Sequence, residues 1–107
     1  MRSCVEREYI PIIRERFKCQ PAGELDLGFI ALRPDLICDG IPTEVECIST
    51  VYCGVGQALA YKYIAGAARL IVIADVVRGE VLRFLKWVSE TTGVEVFLFV
   101  EDTLIHV

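Results

Sequence analysis

Two short apolar runs, Arg69 to Ala74 and Val94 to Val100, decide most of the architecture open to this chain. Each is continuous rather than alternating, the pattern of a strand buried on both faces. Between them Val81, Leu82, Leu85 and Val88 recur at helical spacing over residues 78–90, and Thr92-Gly93 supplies a stop. A strand, a helix and a second two-sided strand in succession require a crossover connection, and with it helices laid on the sheet.

The rest of the chain extends this pattern. Val5, Tyr9, Ile12, Ile13 and Phe17 recur every three or four residues, which predicts an amphipathic helix over 3–18. Pro11 interrupts it, so the helix either bends there or begins near Ile10 with Pro11 in its first turn. After a loop at Gln20-Pro21-Ala22-Gly23, partial alternation at Leu25, Leu27 and Phe29 predicts a strand to Leu32. Pro34 opens a second strand, Asp35 to Cys38. Asp39-Gly40 turns the chain, and a third strand runs from about Thr43 to Ile48. Over 54–68, Val55, Leu59, Ala60, Tyr63, Ile64 and Ala67 mark the inner face of a second helix, with Ser49 and Thr50 as candidate caps. Thr103 to Val107 completes the sheet as a short edge strand. The expectation is an α/β chain forming a single domain over 1–107. Its mixed central β-sheet is flanked by helices, in the order α-β-β-β-α-β-α-β.

Composition narrows the class. With 107 residues, 54% of them hydrophobic and 24% charged, the chain can bury a core and does not read as disordered. No apolar stretch approaches the ~18–20 residues of a membrane-spanning helix. Arg2 is followed by Glu6, Arg7 and Glu8 where a signal peptide would be apolar. The expected location is therefore cytoplasmic, with no membrane partner. Five cysteines (Cys4, Cys19, Cys38, Cys47, Cys53) form no CxxC pair, and the one histidine is His106, so no zinc pattern is present. Buried thiols acting as small hydrophobes are the preferred reading. Intrachain disulfides, as in intracellular proteins of hyperthermophiles, are the alternative. A catalytic thiol lacks a nearby histidine as its base.

The net charge of −4 is unevenly spread. Residues 1–18 carry +2, whereas residues 19–50 carry −5, with only Arg33 against Glu24, Asp26, Asp35, Asp39, Glu44 and Glu46. Within that segment Asp35 and Glu44 fall on neighbouring strands of one hairpin. Glu44 and Glu46 point to one face because strand side chains alternate with period two. Three converging carboxylates repel one another and are held ionised by a hard divalent cation, which also suits phosphodiester chemistry. A competing reading makes Glu44 and Glu46 the solvated face of an edge strand. Gly54-x-Gly56 lacks the lysine and spacing of a phosphate-binding loop and reads as a helix entry.

Pro34-Asp35 followed by Glu44-Val45-Glu46, set in this order of elements, resembles the PD-(D/E)xK nuclease superfamily. Val5-Glu6-Arg7 is similar to the helix-borne acidic motif of its archaeal Holliday-junction resolvases, and Gln57-Ala58-Leu59-Ala60-Tyr61 looks like the glutamine-bearing helix beside the site. The resemblance spans most of residues 1–75. It implies a restriction-endonuclease-like fold with Asp35 and Glu44 as ligands of Mg²⁺ or Mn²⁺. It also implies Glu6 as an accessory acid and Gln57 as a residue positioning substrate or water. The pattern departs at Glu46, which stands where the family has lysine, as in some restriction endonucleases. A glutamate there acts as base or binds a second metal but supplies no positive charge. Lys62 lies about 140° around the helix from Gln57 and is a poor substitute. Glu15 replaces Glu6 as the accessory acid if Pro11 displaces the helix start, and Glu8 is a third candidate.

The function expected is metal-dependent hydrolysis of DNA phosphodiesters, on branched or structured DNA, by a homodimer or larger assembly whose basic N-terminal helix contacts the backbone. The alternatives are a catalytically silent module of the same fold, and a structural α/β domain whose carboxylates are dispersed. Tyr52, Tyr61, Tyr63 and Trp87 read as core or interface residues rather than base-stacking platforms.

Overall fold

The computed structural model describes residues 4–107, so Arg2 of the basic segment and Ser3, the expected first residue of the helix, lie outside the described residues. Helix α1 (Glu6–Arg16) contains Pro11 in its second turn. The proline deletes one early backbone hydrogen bond and projects into solvent, so the helix passes through it instead of starting there. Where one strand was expected over 25–32, a small hairpin forms: β1 (Leu25–Asp26) pairs antiparallel with β2 (Ala31–Leu32). Gly28 at φ +96° and its amide hydrogen bond to the Asp26 carboxylate (2.7 Å) close the turn. Phe29, expected to face inward, sits on that turn and is 86% exposed.

The main sheet has five strands in sequential order: β3 (Leu36–Cys38), β4 (Ile41–Cys47), β5 (Arg69–Ile73), β6 (Glu95–Val100) and β7 (Thr103–His106). β3 and β4 are antiparallel around Asp39-Gly40, both at positive φ, the conformation a tight two-residue hairpin turn needs. β4, β5 and β6 are parallel, and β7 returns antiparallel along the far edge. Helices α2 (Val51–Ala65) and α3 (Gly79–Thr92) make the two parallel crossovers, each ended by a left-handed glycine, Gly66 and Gly93.

Three layers result. On one face Ala58 and Tyr61 of α2 and Leu85 and Val88 of α3 pack on Leu70, Val72, Val96 and Leu98. On the other, Ile13 of α1 packs on Val45, Ile71, Ile73 and Phe99, with Tyr9 and Phe17 edge-on to the Phe99 ring. The central strands are thus covered on both sides, as their unbroken apolar runs require. The inner face of α2 is rotated from the expected one: Gly54, Ala58 and Tyr61 are buried, whereas Leu59 and Tyr63 are exposed, Tyr63 at 82%. Of the other aromatics read as core or interface, Tyr52 and Trp87 also lie outside the core.

The cysteines are paired, against the preferred reading of free buried thiols. Cys4 joins Cys47, and Cys19 joins Cys38, with Cα separations of 6.1 and 4.3 Å, while Cys53 is free and exposed. The two bridges fasten the two ends of α1 to β4 and β3. No described helix is long and apolar enough to cross a membrane.

Candidate functional site

The site grows out of a mismatch in strand length. β3 pairs with β4 only as far as Leu36↔Thr43, so Glu44 to Cys47 run on without a strand on that side. The amide of Val45 is one donor left there, and the Asp35 carboxylate accepts its hydrogen bond at 2.8 Å. Asp35 is placed by the residue before it: Pro34 cannot extend the ladder, so strand pairing stops and the aspartate side chain takes over from the backbone.

Glu44 and Glu46 occupy the face of β4 turned towards α2, and the reading of them as a solvated edge-strand face is overturned. They are 6% and 5% exposed, because α2 lies over that face of β4 and β5 runs alongside it. Burying a carboxylate is costly unless it is hydrogen-bonded or neutralised. The Tyr61 hydroxyl donates to Glu44 Oε1 (2.7 Å), and the Thr50 hydroxyl donates to Glu46 Oε2 (2.8 Å). Thr50 therefore serves the glutamate and makes no side-chain cap on α2. Gly54 serves it by having no side chain: a Cβ there would stand 2.7 Å from Glu46 Cβ and 2.9 Å from Leu70 Cδ1. The glycine read as a helix entry is thus the point where α2 clears Glu46.

Glu6, in the first turn of α1, reaches the same cluster from the opposite face, across the stretch of β4 that β3 leaves uncovered. It shares a side-chain hydrogen bond with Glu46, and its charge acts on both Glu46 and Asp35. Among the three N-terminal candidates Glu6 is the acid brought to the cluster. Glu15 is exposed in the last turn of α1, against Pro11 and Arg14. Gln57 lies on the same side of α2 as Tyr61 and is exposed at the rim, without entering the cluster. Lys62 is drawn towards Gly93, where its Nζ would lie 2.5 Å from an added Cβ, and Arg33 faces Glu24 at 3.7 Å.

The electrostatics follow from this packing. Burial raises Glu44 to about 8, reinforced by the Asp35 charge and opposed by the Tyr61 hydroxyl. Burial and the hydrogen bond that protonated Glu46 donates to Glu6 raise Glu46 to about 7, with the Thr50 hydroxyl pulling the other way. Asp35 is raised by burial, an effect the Val45 amide and the Glu44 hydrogen bond partly cancel. Burial, then its bond to Glu44, pushes the Tyr61 phenol upward as well. The groups acting on these carboxyls are other carboxyls, two hydroxyls and one amide. Burial and mutual repulsion thus push all three carboxyls towards their protonated forms. Among the described residues no three side chains form a ready-made metal-binding group. A cleft of about 240 Å³ at the C-terminal ends of β5 and β6, lined by Tyr9, Asp75, Phe99 and Glu101 among others, shares no residue with the cluster.

Comparison with protein-family models, with curated proteins and with solved structures returned no match.

Proposed function

We propose that the chain is a metal-dependent DNA phosphodiesterase of the restriction-endonuclease-like kind, its site built on Asp35, Glu44 and Glu46. The observation that carries this reading is a buried group of carboxyls with no opposing cation among the described residues. Oxygen donors crowded at raised pKa exchange their protons for a hard divalent ion when one arrives, and the ion stabilises the charges that burial disfavours. Asp35 and Glu44 would hold Mg²⁺ or Mn²⁺. When bound, such an ion polarises the scissile phosphate and acidifies a water.

The protein's own groups do the rest. Tyr61 fixes the rotamer of Glu44 through its hydroxyl. Glu46, in the place where the superfamily carries lysine, accepts a proton from the attacking water, and its pKa of about 7 suits that task at neutral pH. Glu6 lies against it as the accessory acid. Gln57, exposed at the rim, orients the nucleic acid, and the exposed Arg7, Arg14 and Lys18 on and just after α1 meet the phosphate backbone. So small a domain has little area left for reading sequence, which favours branched or structured DNA and action as a homodimer. The place of action in this reading is the cytoplasm of a cell whose interior tolerates disulfides.

A second reading, a catalytically silent module of the same fold, is favoured by one feature: Glu46 is satisfied by Thr50 and supplies no positive charge near a phosphate. Incubation of the purified chain with linear, flapped and four-way DNA in Mg²⁺ or Mn²⁺ separates the two. Cleavage lost at least 100-fold in Asp35→Ala and Glu44→Ala, together with a dimeric mass by light scattering, is the expected result. Divalent-ion binding without cleavage of any substrate selects the silent module. Cleavage equal in wild type and Asp35→Ala overturns the proposed site.

A further inference from the structure

Helix α2 carries one charged residue, Lys62, among fifteen and is apolar on every side. A helix of that kind is ordinarily buried all round, yet only one side of α2 meets the core. Gly54, Ala58 and Tyr61 face the sheet, and opposite them Tyr52, Gly56, Leu59 and Tyr63 face solvent. The outer four are spaced by four, three and four residues, the a/d spacing of a seam along which two helices pack knobs into holes. Gly56 is the hole: a Cβ built on it would meet nothing within 4 Å. Leu59, one turn on, is the knob.

We propose that the outer face of α2 is a homodimer interface, closed by the α2 of a second copy packed antiparallel across a two-fold axis. The spacing reads the same in both directions, which makes the stripe complementary to itself. In the antiparallel pair Gly56 receives the partner's Leu59, and Tyr52 lies against the partner's Tyr63. Charge points to the same occupant. Each copy carries −4 overall, so copies repel unless they meet where neither presents a charge. The stripe is such a place, with Lys62 drawn aside to Gly93. The open area is of the right order. Tyr52 and Tyr63 are 69% and 82% exposed, and Trp87, stacked on Phe84 in the same helical layer, is 59% exposed. At roughly 150–250 Å² a side chain, these three leave ~400 Å² open, about half of what each partner gives a standard interface. This seam is the surface of the homodimer proposed above, and its existence does not depend on the chemistry of the acidic cluster.

Sedimentation velocity over a dilution series of the full chain reads the equilibrium, with circular dichroism as the check of fold. Wild type is expected to be dimeric. Leu59→Arg acts twice across the axis and is expected to raise the dimer dissociation constant about 100-fold. Gly56→Leu is the sharper test, because its Cβ meets nothing within 4 Å and the added side chain collides with the partner's Leu59. A folded monomer is expected. A dimer that survives both substitutions overturns the seam. So does a wild type that stays monomeric at every concentration, which leaves this face to a different chain. Cys53, the free and exposed thiol of α2, reports the register. Antiparallel pairing sets it opposite the partner's Lys62, where a short maleimide–succinimidyl ester is expected to link isotope-labelled to unlabelled chains. A Cys53–Cys53 disulfide marks a parallel pair and overturns the antiparallel one. DNA cleavage is scored separately. A dimer held by α2 that cleaves no substrate keeps the seam and sinks the nuclease reading, and cleavage by a monomer does the reverse.

Discussion

Glu44 is a residue whose environment can be titrated. Its pKa, raised to about 8 by burial and the Asp35 charge, lies above that of the same side chain in the unfolded chain, near 4.5. Between those values the folded state binds more protons than the unfolded one, so stability is full below about pH 4.5 and falls as the pH rises through 8. Glu46, raised to about 7, adds to the slope in the same direction. The metal-free chain is expected to lose on the order of a few kcal/mol of unfolding free energy between pH 5 and 9. Glu44→Gln removes the buried ionisation and keeps an acceptor for Tyr61. Thermal unfolding followed at each pH is expected to show a shallower slope and a higher Tm at pH 9 in this variant. An identical slope in wild type and variant would mean that Glu44 titrates in the fold as it does in the unfolded chain.

Elements meet this site at one close contact. Gly54 lets α2 approach β4 so that Tyr61, two turns on, reaches Glu44. Gly54→Ala places a methyl 2.7 Å from Glu46 Cβ, so the helix must lift or the glutamate must turn. A loss of roughly 1–3 kcal/mol in urea unfolding is expected, as for other overpacked contacts. Gly56→Ala, with nothing within 4 Å, is expected to be neutral or slightly stabilising. The same contact shows what could be read from sequence and what could not. The two-sided strands, the Asp39-Gly40 hairpin and α3 announce themselves because their periodicity or turn chemistry has one solution. Helix α2 does not: Val55, Leu59, Tyr63 and Ile64 compete with Val51, Ala58 and Tyr61 for the inner face, and apolar residues all round leave the period without a phase. The spacing of Asp35, Glu44 and Glu46 puts them on adjoining strands. Their burial depends on β3 ending early and on a glycine in a different element, which no local pattern encodes. Disulfide pairing is likewise a matter of distance in the fold, and Cys4 and Cys47 lie 43 residues apart.

At the scale of the whole molecule, the sheet is sequential from β3 to β7, and of the described helices α1 alone packs on one face of it. That helix is the part of the fold held by covalent bonds as well as by packing. Replacing Cys19 and Cys38 together by alanine reopens a loop closed across 19 residues. A loss of ~3 kcal/mol is expected by urea unfolding under non-reducing conditions, since closing a loop of this length restricts the unfolded chain by about that amount. No change would mean that Ile13 and its aromatic neighbours already dock the helix to the full. Nesting has a further consequence. In chain order Cys19–Cys38 lies inside Cys4–Cys47, and Glu6, Asp35, Glu44 and Glu46 all fall within the outer loop. A protease cutting the turn at Phe29, the most exposed of the large apolar side chains, would sever the backbone between Glu6 and the other three acids. It would not part them: the two pieces stay joined by both bridges, so the site belongs to a covalent ring rather than to an unbroken stretch of polypeptide.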